Sequence, residues 1–291
     1  LGNALIQALY RQGRVEVRSP CHLLDANSLP GGVKLTLDEG ESLEASLLVV
    51  ADGASSGLRE RLGVTVSEKS YGQVALVANV ASRQAHAGCA FERFTAEGPV
   101  AMLPLLGVAG AANRSALVWT VSPQEGEQLL ASADRDFLSA LQQRFGYRLG
   151  RLEQVGERHS YPLSLIQSDE QVRQGIVIMG NAAHALHPVA GQGYNLALRD
   201  VAELSRVLVE AAGAGASYGD LAYLHRYERR QQVDQLRTIE MSDRLPSLFM
   251  VGDPVVGIAR DLALSGLDIV PALKRGFVNY AAGVAALGEQ R

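Results

Sequence analysis

Residues 175–200, GIVIMGNAAHALHPVAGQGYNLALRD, decide the fold of this chain. Residues 176–179 are all apolar and precede Gly180, a pattern typical of a strand buried within a parallel sheet. A loop of small residues and glycines follows, and from Tyr194 onward apolar residues recur every three or four positions, which predicts an amphipathic helix. The first turn of a helix has unpaired N–H groups, so this loop predicts a site for an anion or an electron-rich edge. The alternative is an ordinary strand–loop–helix connection without a ligand.

This stretch resembles the second FAD motif of the flavoprotein aromatic hydroxylases, the p-hydroxybenzoate hydroxylase class. That motif reads Gly-Asp-Ala-Ala-His, then Pro, then Gly-x-Gly-x-Asn and a downstream Asp. The matching residues are Gly180, Asn181, Ala182, Ala183, His184, Pro188, Gly191, Gln192, Gly193, Tyr194, Asn195 and Asp200. Residues 187–196, HPVAGQGYNL, are most similar to the ubiquinone-biosynthesis branch, and within it to the 2-polyprenyl-6-methoxyphenol hydroxylases. Asn181 departs from the motif, because an amide can bond a ribityl hydroxyl but lacks the carboxylate's charge.

The resemblance implies which residues of this stretch bind FAD. They are Gly180, Asn181, Ala182, His184, Pro188, Ala190, Gly191, Gln192, Gly193, Tyr194 and Asn195. The N–H groups around Gly193, Tyr194 and Asn195 would bond the pyrimidine edge of the flavin and stabilise negative charge on the reduced ring. Pro188 and Ala190 would form the wall beside the reactive edge. Pro188, Gly193, Tyr194 and Asn195 are therefore the expected catalytic residues.

A second motif lies at residues 51–59, ADGASSGLR, directly after a predicted strand. It resembles the Asp-Gly motif of the same hydroxylases, which contacts FAD and is implicated in NAD(P)H use. Asp52 and Gly53 follow the end of the predicted strand, where the Asp52 carboxylate can accept hydrogen bonds from hydroxyl groups. Arg59 can face a phosphate. The alternatives are a capped strand-to-helix turn and, for Arg59, a solvated helix face.

Two other chemistries fit parts of these motifs. Residues 53–57, GASSG, match the Gly-x-Ser-x-Gly elbow of α/β-hydrolases, with Ser55 as nucleophile, and Asp169 and His184 follow in the required order. No His-Gly-Gly-Gly-type segment accompanies them. His184 and His187 are three residues apart and could share a metal, but no nearby Cys or carboxylate completes a ligand set, so no metal is expected.

The predicted fold class is α/β: a split Rossmann-like FAD domain, an inserted α+β substrate domain with a mostly antiparallel sheet, and a helical tail. The expected divisions are FAD-binding parts at 1–66 and 165–210, a substrate sheet at 67–164 and C-terminal helices at 211–291. Strands are expected at 15–18, 33–37, 43–50, 71–81, 90–95, 100–104, 115–121 and 157–163, and helices at 1–12 and 134–145. The resemblance places the substrate floor on this sheet, near Phe91, Phe94 and Met102. Core packing is the alternative for those side chains.

Composition narrows the function classes. The chain has 291 residues, 47% hydrophobic and 20% charged, with a net charge of −4. Nucleic acid is not an expected partner, because such a partner favours a basic surface. The two cysteines, Cys21 and Cys89, form no disulfide framework, so a reducing cytoplasm is expected.

The apolar tail at 245–284 is interrupted by charged residues. It is expected to lie on a membrane or a lipid-handling partner but not to span a membrane. Residues 223–237 predict a solvated helix face, and His22, His86, His159 and His225 have no predicted role.

No Gly-x-Gly-x-x-Gly turn, which a Rossmann-type FAD domain places after its first strand, occurs in this chain. The expectation is an N-terminally truncated, inactive form with an incomplete pocket for the ADP half of FAD. The resemblance implies that the full enzyme uses NAD(P)H, FAD and O2 to hydroxylate the ring of a polyprenyl phenol in ubiquinone biosynthesis, through a flavin C4a-hydroperoxide. The alternatives are a hydroxylase of another small aromatic substrate, the serine hydrolase, and a non-catalytic prenyl-binding relative.

Overall fold

The computed structural model of the protein describes residues 2–106, 113–188, 191–250, 270–272 and 274–275. Twelve strands and six α-helices are found in these ranges. The strands are β1 (Leu23–Leu29), β2 (Gly32–Leu37), β3 (Ser42–Ala45), β4 (Leu48–Val50), β5 (Val66–Ser82), β6 (Phe91–Arg93), β7 (Val100–Pro104), β8 (Arg114–Val121), β9 (Leu152–Ser168), β10 (Val172–Arg173), β11 (Ile176–Ile178) and β12 (His184–Ala185). The helices are α1 (Gly2–Gln12), α2 (Gly57–Arg61), α3 (Pro123–Ala131), α4 (Asp134–Phe145), α5 (Gln192–Gly213) and α6 (Leu221–Met250).

A small mixed sheet forms the centre of the first half of the fold. Its strand order is β10-β11-β4, and β11 pairs with β4 in parallel, with Ile178 opposite Val50. Ile176 and Ile178 pack toward β1 and β2, whereas Val177 and Met179 pack toward α5 and α6. Burial on both faces explains why the run is apolar at every position.

A large antiparallel sheet forms the second half, with strand order β12-β9-β5-β8-β7-β6. Its two long strands, β5 and β9, run side by side over most of their lengths. One face packs against α3 and α4 around Trp119 and Phe137, whose rings meet edge to face at 5.7 Å. The α/β class with a mostly antiparallel second sheet is thus confirmed.

Several local predictions differ from the structure. Residues 15–18 form no strand and leave Val15 and Val17 exposed, whereas the polar segment of β1 is a strand because it pairs with β2 in a hairpin. The predicted strand at 43–50 is two strands, since β3 pairs with β2 and β4 turns away to pair with β11. Helix α3 was not predicted, although the sequence contains two signals for its start. Ser122 caps the helix by accepting a hydrogen bond from the Glu125 N–H, and Pro123 is its first residue.

Helix α6 has the solvated face predicted from residues 223–237, but its opposite face is buried. Leu224 and Tyr227 are fully buried against β10, β11 and α5, and Gln231 and Gln235 are buried beside them. The arginines of this segment are on the outer side; Arg230, for example, binds Glu203 and Glu210 of α5. Glutamine is usually a surface residue, so a sequence gives no sign that these two side chains are buried with their amides hydrogen-bonded. For that reason the buried face of this helix was not predicted.

Candidate functional site

Two parallel strands place both sequence motifs at one edge of the small sheet. The N–H of Met179, just past β11, donates to the Val50 carbonyl at 3.0 Å. Residues 51–53 and 180–182 therefore leave adjacent strands on the same side. The carboxyl ends of parallel strands are where α/β sheets bind ligands.

Arg59 joins the two motifs. Its side chain is 3% exposed, and its Nη1 and Nη2 donate to the carbonyls of Ala182 at 2.7 Å and Ala54 at 3.1 Å. Arg59 is in the first turn of α2, and the hydroxyl of Ser56, which caps that helix, accepts a hydrogen bond from the Arg59 N–H. The alternative of a solvated helix face is wrong, because the Arg59 side chain is buried and connects the two loops. Its contact with a phosphate stays a prediction.

Asp52 and Asn181 remain accessible at this edge. Asp52 is exposed, and among the described residues its carboxylate receives one long bond, 3.4 Å, from the Leu58 N–H. Asn181 is exposed in a short 3₁₀ turn, and Gly53 and Gly180 turn the chain with φ of +99° and +60°. Ala182, in contrast, is buried beneath the loop.

The start of α5 is a glycine turn beside open space. Gly191, the residue before the helix, is in the left-handed region with φ of +63° and has no side chain that could cap the helix, and the first turn contains no acidic residue. A Cβ placed on Gly193 would meet no atom within 4 Å. Tyr194 is half exposed, Asn195 is partly buried and Gln192 is buried. Ala190 lies outside the described residues.

His184 is held by a buried polar network. Its Nε2 is 2.8 Å from Oδ2 of Asp200, a fully buried carboxylate on α5. Gln235 of α6 donates to the other oxygen of Asp200 at 3.0 Å, and its amide exchanges hydrogen bonds with Gln171. The His184 side chain therefore faces the core, and the network ties the loop before Pro188 to α5 and α6.

His187 and Pro188 lie against the large sheet. The His187 ring is 1% exposed and meets Tyr71 edge to face at 5.0 Å. Burial lowers the pKa of His187 to about 4, although the Asp243 carboxylate opposes that shift. Together with the exposed Pro188, His187 lines a small cavity whose other walls are Glu92, Pro99, Ala101, Val118 and Thr120.

Two of the three residues predicted as the substrate floor, Phe91 and Met102, lie on the face of the sheet that packs against α3 and α4. Met102 is fully buried against α3 and α4, and Phe91 packs edge to face on Phe145. Phe94 stacks on Phe249 of α6 at 4.4 Å. Since side chains alternate along a strand, it is Ala101 and Glu92, the neighbours of Met102 and Phe91, that line the cavity. The alternation of side chains could be predicted from the sequence, but the sequence could not show which face of the sheet contacts His187.

The hydrolase arrangement is not assembled. The His184 ring bonds to Asp200, whereas Asp169 accepts from the hydroxyls of Thr65 and Ser67. Ser55 is exposed on the first loop. His184 and His187 have different neighbours, and in the described ranges no three His, Cys, Asp or Glu side chains are grouped as a metal would need.

Comparison with known proteins agrees with this geometry. The FAD binding domain family matches residues 2–237. The chain belongs to this family. A ubiquinone hydroxylase, UbiL, from Rhodospirillum rubrum is 37% identical over 290 residues, covering 100% of this chain and 66% of the relative. The 3-demethoxyubiquinol 3-hydroxylase of Escherichia coli is 31% identical over 98% of this chain and 71% of its own length.

Solved structures agree on the fold. A p-nitrophenol 4-monooxygenase from Pseudomonas putida superposes with a TM-score of 0.74 at 19% identity, covering 99% of this chain and 72% of that one. PqsL from Pseudomonas aeruginosa, a probable FAD-dependent monooxygenase, gives 0.72 at 20% identity, over 86% and 69%. This chain spans about two thirds or less of the length of the first curated relatives, UbiL included.

The described residues fit the flavin and ribityl half of FAD. The fit rests on three features: a first turn of α5 that contains no acidic residue, the open space at Gly193 and the accessible side chains of Asp52 and Asn181. A heteroatom-rich ring edge would accept from the N–H groups of a helix start, and a polyol would bond to the side chains. The glycine-rich turn that suits a pyrophosphate has no counterpart in the sequence.

Proposed function

We propose that this chain belongs to a flavin-dependent monooxygenase that hydroxylates the ring of a polyprenyl phenol in ubiquinone biosynthesis, using FAD, NAD(P)H and O2. One observation carries the proposal: the two motif loops leave adjacent parallel strands at one edge, and Pro188, at the end of the second, lies against a cavity on the antiparallel sheet. A cofactor at the edge and a substrate on the sheet would meet at Pro188.

The cofactor-binding roles follow from position. Asp52 and Asn181 would hold hydroxyls of the ribityl chain, and the N–H groups around Gly193, Tyr194 and Asn195 would bond the pyrimidine edge of the flavin. Gly53, Gly180, Gly191 and Gln192 would shape the loops, and Arg59, Ala182 and His184 would support them from inside. When bound, reduced FAD would activate O2 for transfer of one oxygen atom to the ring. Pro188 and Ala190 would orient the ring and exclude water.

The proposed divisions are FAD-binding parts at 1–66 and 165–210, a substrate sheet at 67–164 and helices at 211–291. They assign each motif to a cofactor part and the five sheet-side walls of the cavity to the substrate part. The names of the relatives support a ubiquinone precursor as substrate. We further propose other proteins of that synthesis as partners. None of the described helices has the length and apolarity to cross a bilayer. We propose peripheral contact with the cytoplasmic side of the inner membrane, where a prenylated substrate would be found.

The function is tested with Gly193→Val in the FAD-loaded protein. A side chain at Gly193 would occupy the space proposed for the flavin edge, so we expect loss of flavin or a fall in hydroxylation of about 10²–10³, the effect of losing one transition-state donor. The assay follows the absorption of bound flavin, NAD(P)H consumption and formation of hydroxylated prenyl phenol, with circular dichroism for folding.

Gly213→Val is the matched control, because Gly213 is at the other end of α5 and an added Cβ there also meets nothing within 4 Å. It should retain flavin and activity. Parent-like hydroxylation by a folded Gly193→Val variant would contradict the proposed cofactor site. Turnover of prenyl-free phenols at the same rate as prenylated ones would instead favour a hydroxylase of small aromatic substrates.

A further inference from the structure

One end of the large antiparallel sheet has a cluster of positive charge. The segments that meet there contain four arginines and no aspartate or glutamate; they are residues 82–91, 103–106, 113–118 and 146–152. The arginines are Arg83, Arg114, Arg148 and Arg151, and all four are exposed. These four residues are called the arginine end below. Its charge is opposite to the net charge of −4 of the whole chain.

Strand pairing brings the arginine end together from distant parts of the chain. Arg114 begins β8, which pairs with the end of β5. The N–H of Arg83, just past β5, donates to the carbonyl of Arg151, just before β9, at 2.8 Å. The segment that follows α4 is joined to the same strand end by a bond of 3.1 Å to the Leu149 carbonyl, so Arg148 is also at this end of the sheet.

The four arginines have no carboxylate partner in the part of the chain that the structure describes. Arg148 lies over the Phe91 ring, 5.8 Å from its centre, and none of the four forms an ion pair there. Arg144 and Arg158, in the same half of the fold, are both paired with carboxylates. A cluster of like charges without counter-charges gives a surface a positive potential, which attracts an anionic partner.

Exposed apolar side chains accompany the arginines. Leu106 is completely exposed, Tyr147 is 74% exposed and Leu103 is 41% exposed. The backbone after β7 donates to the Arg114 carbonyl at 3.0 Å, and Tyr147 directly precedes Arg148, so both kinds of side chain occupy the same end. A soluble polyanion would pair with the arginines but leave the apolar side chains in water. A bilayer with anionic headgroups suits both, because its phosphates pair with arginines while its interface takes up leucine and tyrosine.

We propose that the arginine end binds the surface of an anionic phospholipid bilayer. Its guanidinium groups pair with lipid phosphates, and the three exposed apolar side chains enter the interfacial layer. The inference rests on the proposed function in one respect, its contact with a membrane, and deepens it by naming the surface that makes the contact. Strands β7 and β8 also contain Ala101 and Val118, two walls of the cavity, so the bilayer would lie at the end of the proposed substrate surface.

The first test measures binding of the chain to vesicles by cosedimentation. The vesicles contain phosphatidylcholine alone, or phosphatidylcholine and phosphatidylglycerol in equal parts. We expect binding to the anionic vesicles that weakens as salt is added. Arg83→Gln combined with Arg114→Gln should weaken it by about twentyfold to thirtyfold, because each arginine near an anionic surface contributes about fivefold.

The matched control is Arg135→Gln combined with Arg229→Gln. These arginines are exposed on α4 and α6 and also have no ion-pair partner among the described residues. The control has the same net charge as the test variant but an intact arginine end, so it should bind like the wild-type chain. Circular dichroism confirms that both double variants fold.

A second measurement locates the contact. Tyr147→Trp places an indole at the arginine end, whereas Tyr161→Trp places one in the middle of β9, where the native side chain is 55% exposed. Lipids brominated near the headgroup quench an indole that enters the interface, so we expect quenching in the first variant and not in the second. Leu106→Ser should weaken binding by about tenfold at low and at high salt, because it removes an apolar side chain from the interface.

The outcomes separate this inference from the proposed function. Equal vesicle binding by the two double variants, or equal quenching of the two indoles, would overturn the assignment of the surface. Salt-sensitive retention on heparin without vesicle binding would identify a soluble polyanion as the partner and would also overturn it. Hydroxylation of a short-chain prenyl phenol in free solution tests the function separately. A chain that hydroxylates but does not bind vesicles contradicts the inference alone, and one that binds vesicles through the arginine end but never binds flavin contradicts the function alone.

Discussion

Asn181 occupies the position at which the aromatic hydroxylases have an aspartate. It is exposed in the turn that leaves β11, where it can reach a ribityl hydroxyl if FAD binds as proposed. A neutral amide makes a weaker bond to a hydroxyl than a carboxylate does, so the natural residue is not the strongest choice for this contact.

Asn181→Asp should therefore retain FAD or bind it more tightly, by about 1 kcal/mol, because charged acceptors make the stronger hydrogen bonds. FAD titration followed by fluorescence quenching measures the change. Loss of FAD from a folded variant would mean that Asn181 acts on the loop itself and not on the cofactor.

His187 should make the stability of the fold depend on acidity. Its pKa is about 4 in the folded protein against 6.5 for the free side chain, so the unfolded chain binds the proton first as pH falls. The stabilisation is complete above pH 6.5 and is lost as pH falls toward 4, by roughly 3 kcal/mol at 1.36 kcal/mol per pKa unit. In His187→Phe this share of the pH dependence should be absent. Thermal unfolding of both proteins between pH 4 and 7 measures it; parallel curves would contradict the buried neutral state.

At the scale of elements, α5 and α6 are joined by two kinds of contact. Inside, Asp200 accepts from His184 and Gln235, both buried. Nearer the surface, Arg199 binds Asp234 at 2.6 Å with both side chains partly exposed. Only the inner contact extends to the loop that carries His184, so the network connects the helices to the proposed flavin site.

Asp200→Ala should lower the free energy of unfolding by about 3 kcal/mol, since it leaves His184 and Gln235 without their buried acceptor. It should also weaken FAD binding, because the loop before Pro188 loses its support. Asp234→Ala breaks the outer pair of the same helices and should cost less than about 1 kcal/mol, with FAD affinity unchanged. Denaturant unfolding and FAD titration of both variants test this. Equal losses in both would show that the inner network has no special role.

At the scale of the whole molecule, the site is built from segments far apart in the chain. The Asp-Gly loop at 51–53 and the loop at 180–188 are brought together only by the pairing of β4 with β11, and the large sheet intervenes between them in sequence. That sheet also supplies the wall opposite Pro188. An insertion between two pairing strands thus places the substrate surface next to the cofactor surface.

The absence of a glycine-rich pyrophosphate turn from the 291 residues has a measurable consequence. Helix-start N–H groups at such a turn bind the phosphates of FAD, so this chain should bind riboflavin nearly as well as FAD. Fluorescence titration of this chain with both flavins gives the answer. A strong preference of this chain for FAD over riboflavin would mean that other residues bind the ADP half.

The sequence by itself determined the two motifs and the strands and helix that carry them. The apolar run before Gly180, the helix after Gly193 and the Asp-Gly loop are local patterns, and local patterns record which residues are buried and which turn the chain. It could not determine the partners of Arg59, His184 and His187, because a buried polar side chain looks like a surface one until its contacts are known. Nor could it select the face of the sheet that meets Pro188. These contacts depend on the pairing of strands that are distant in the chain and on the packing of α6 on α5, so only the tertiary structure shows them.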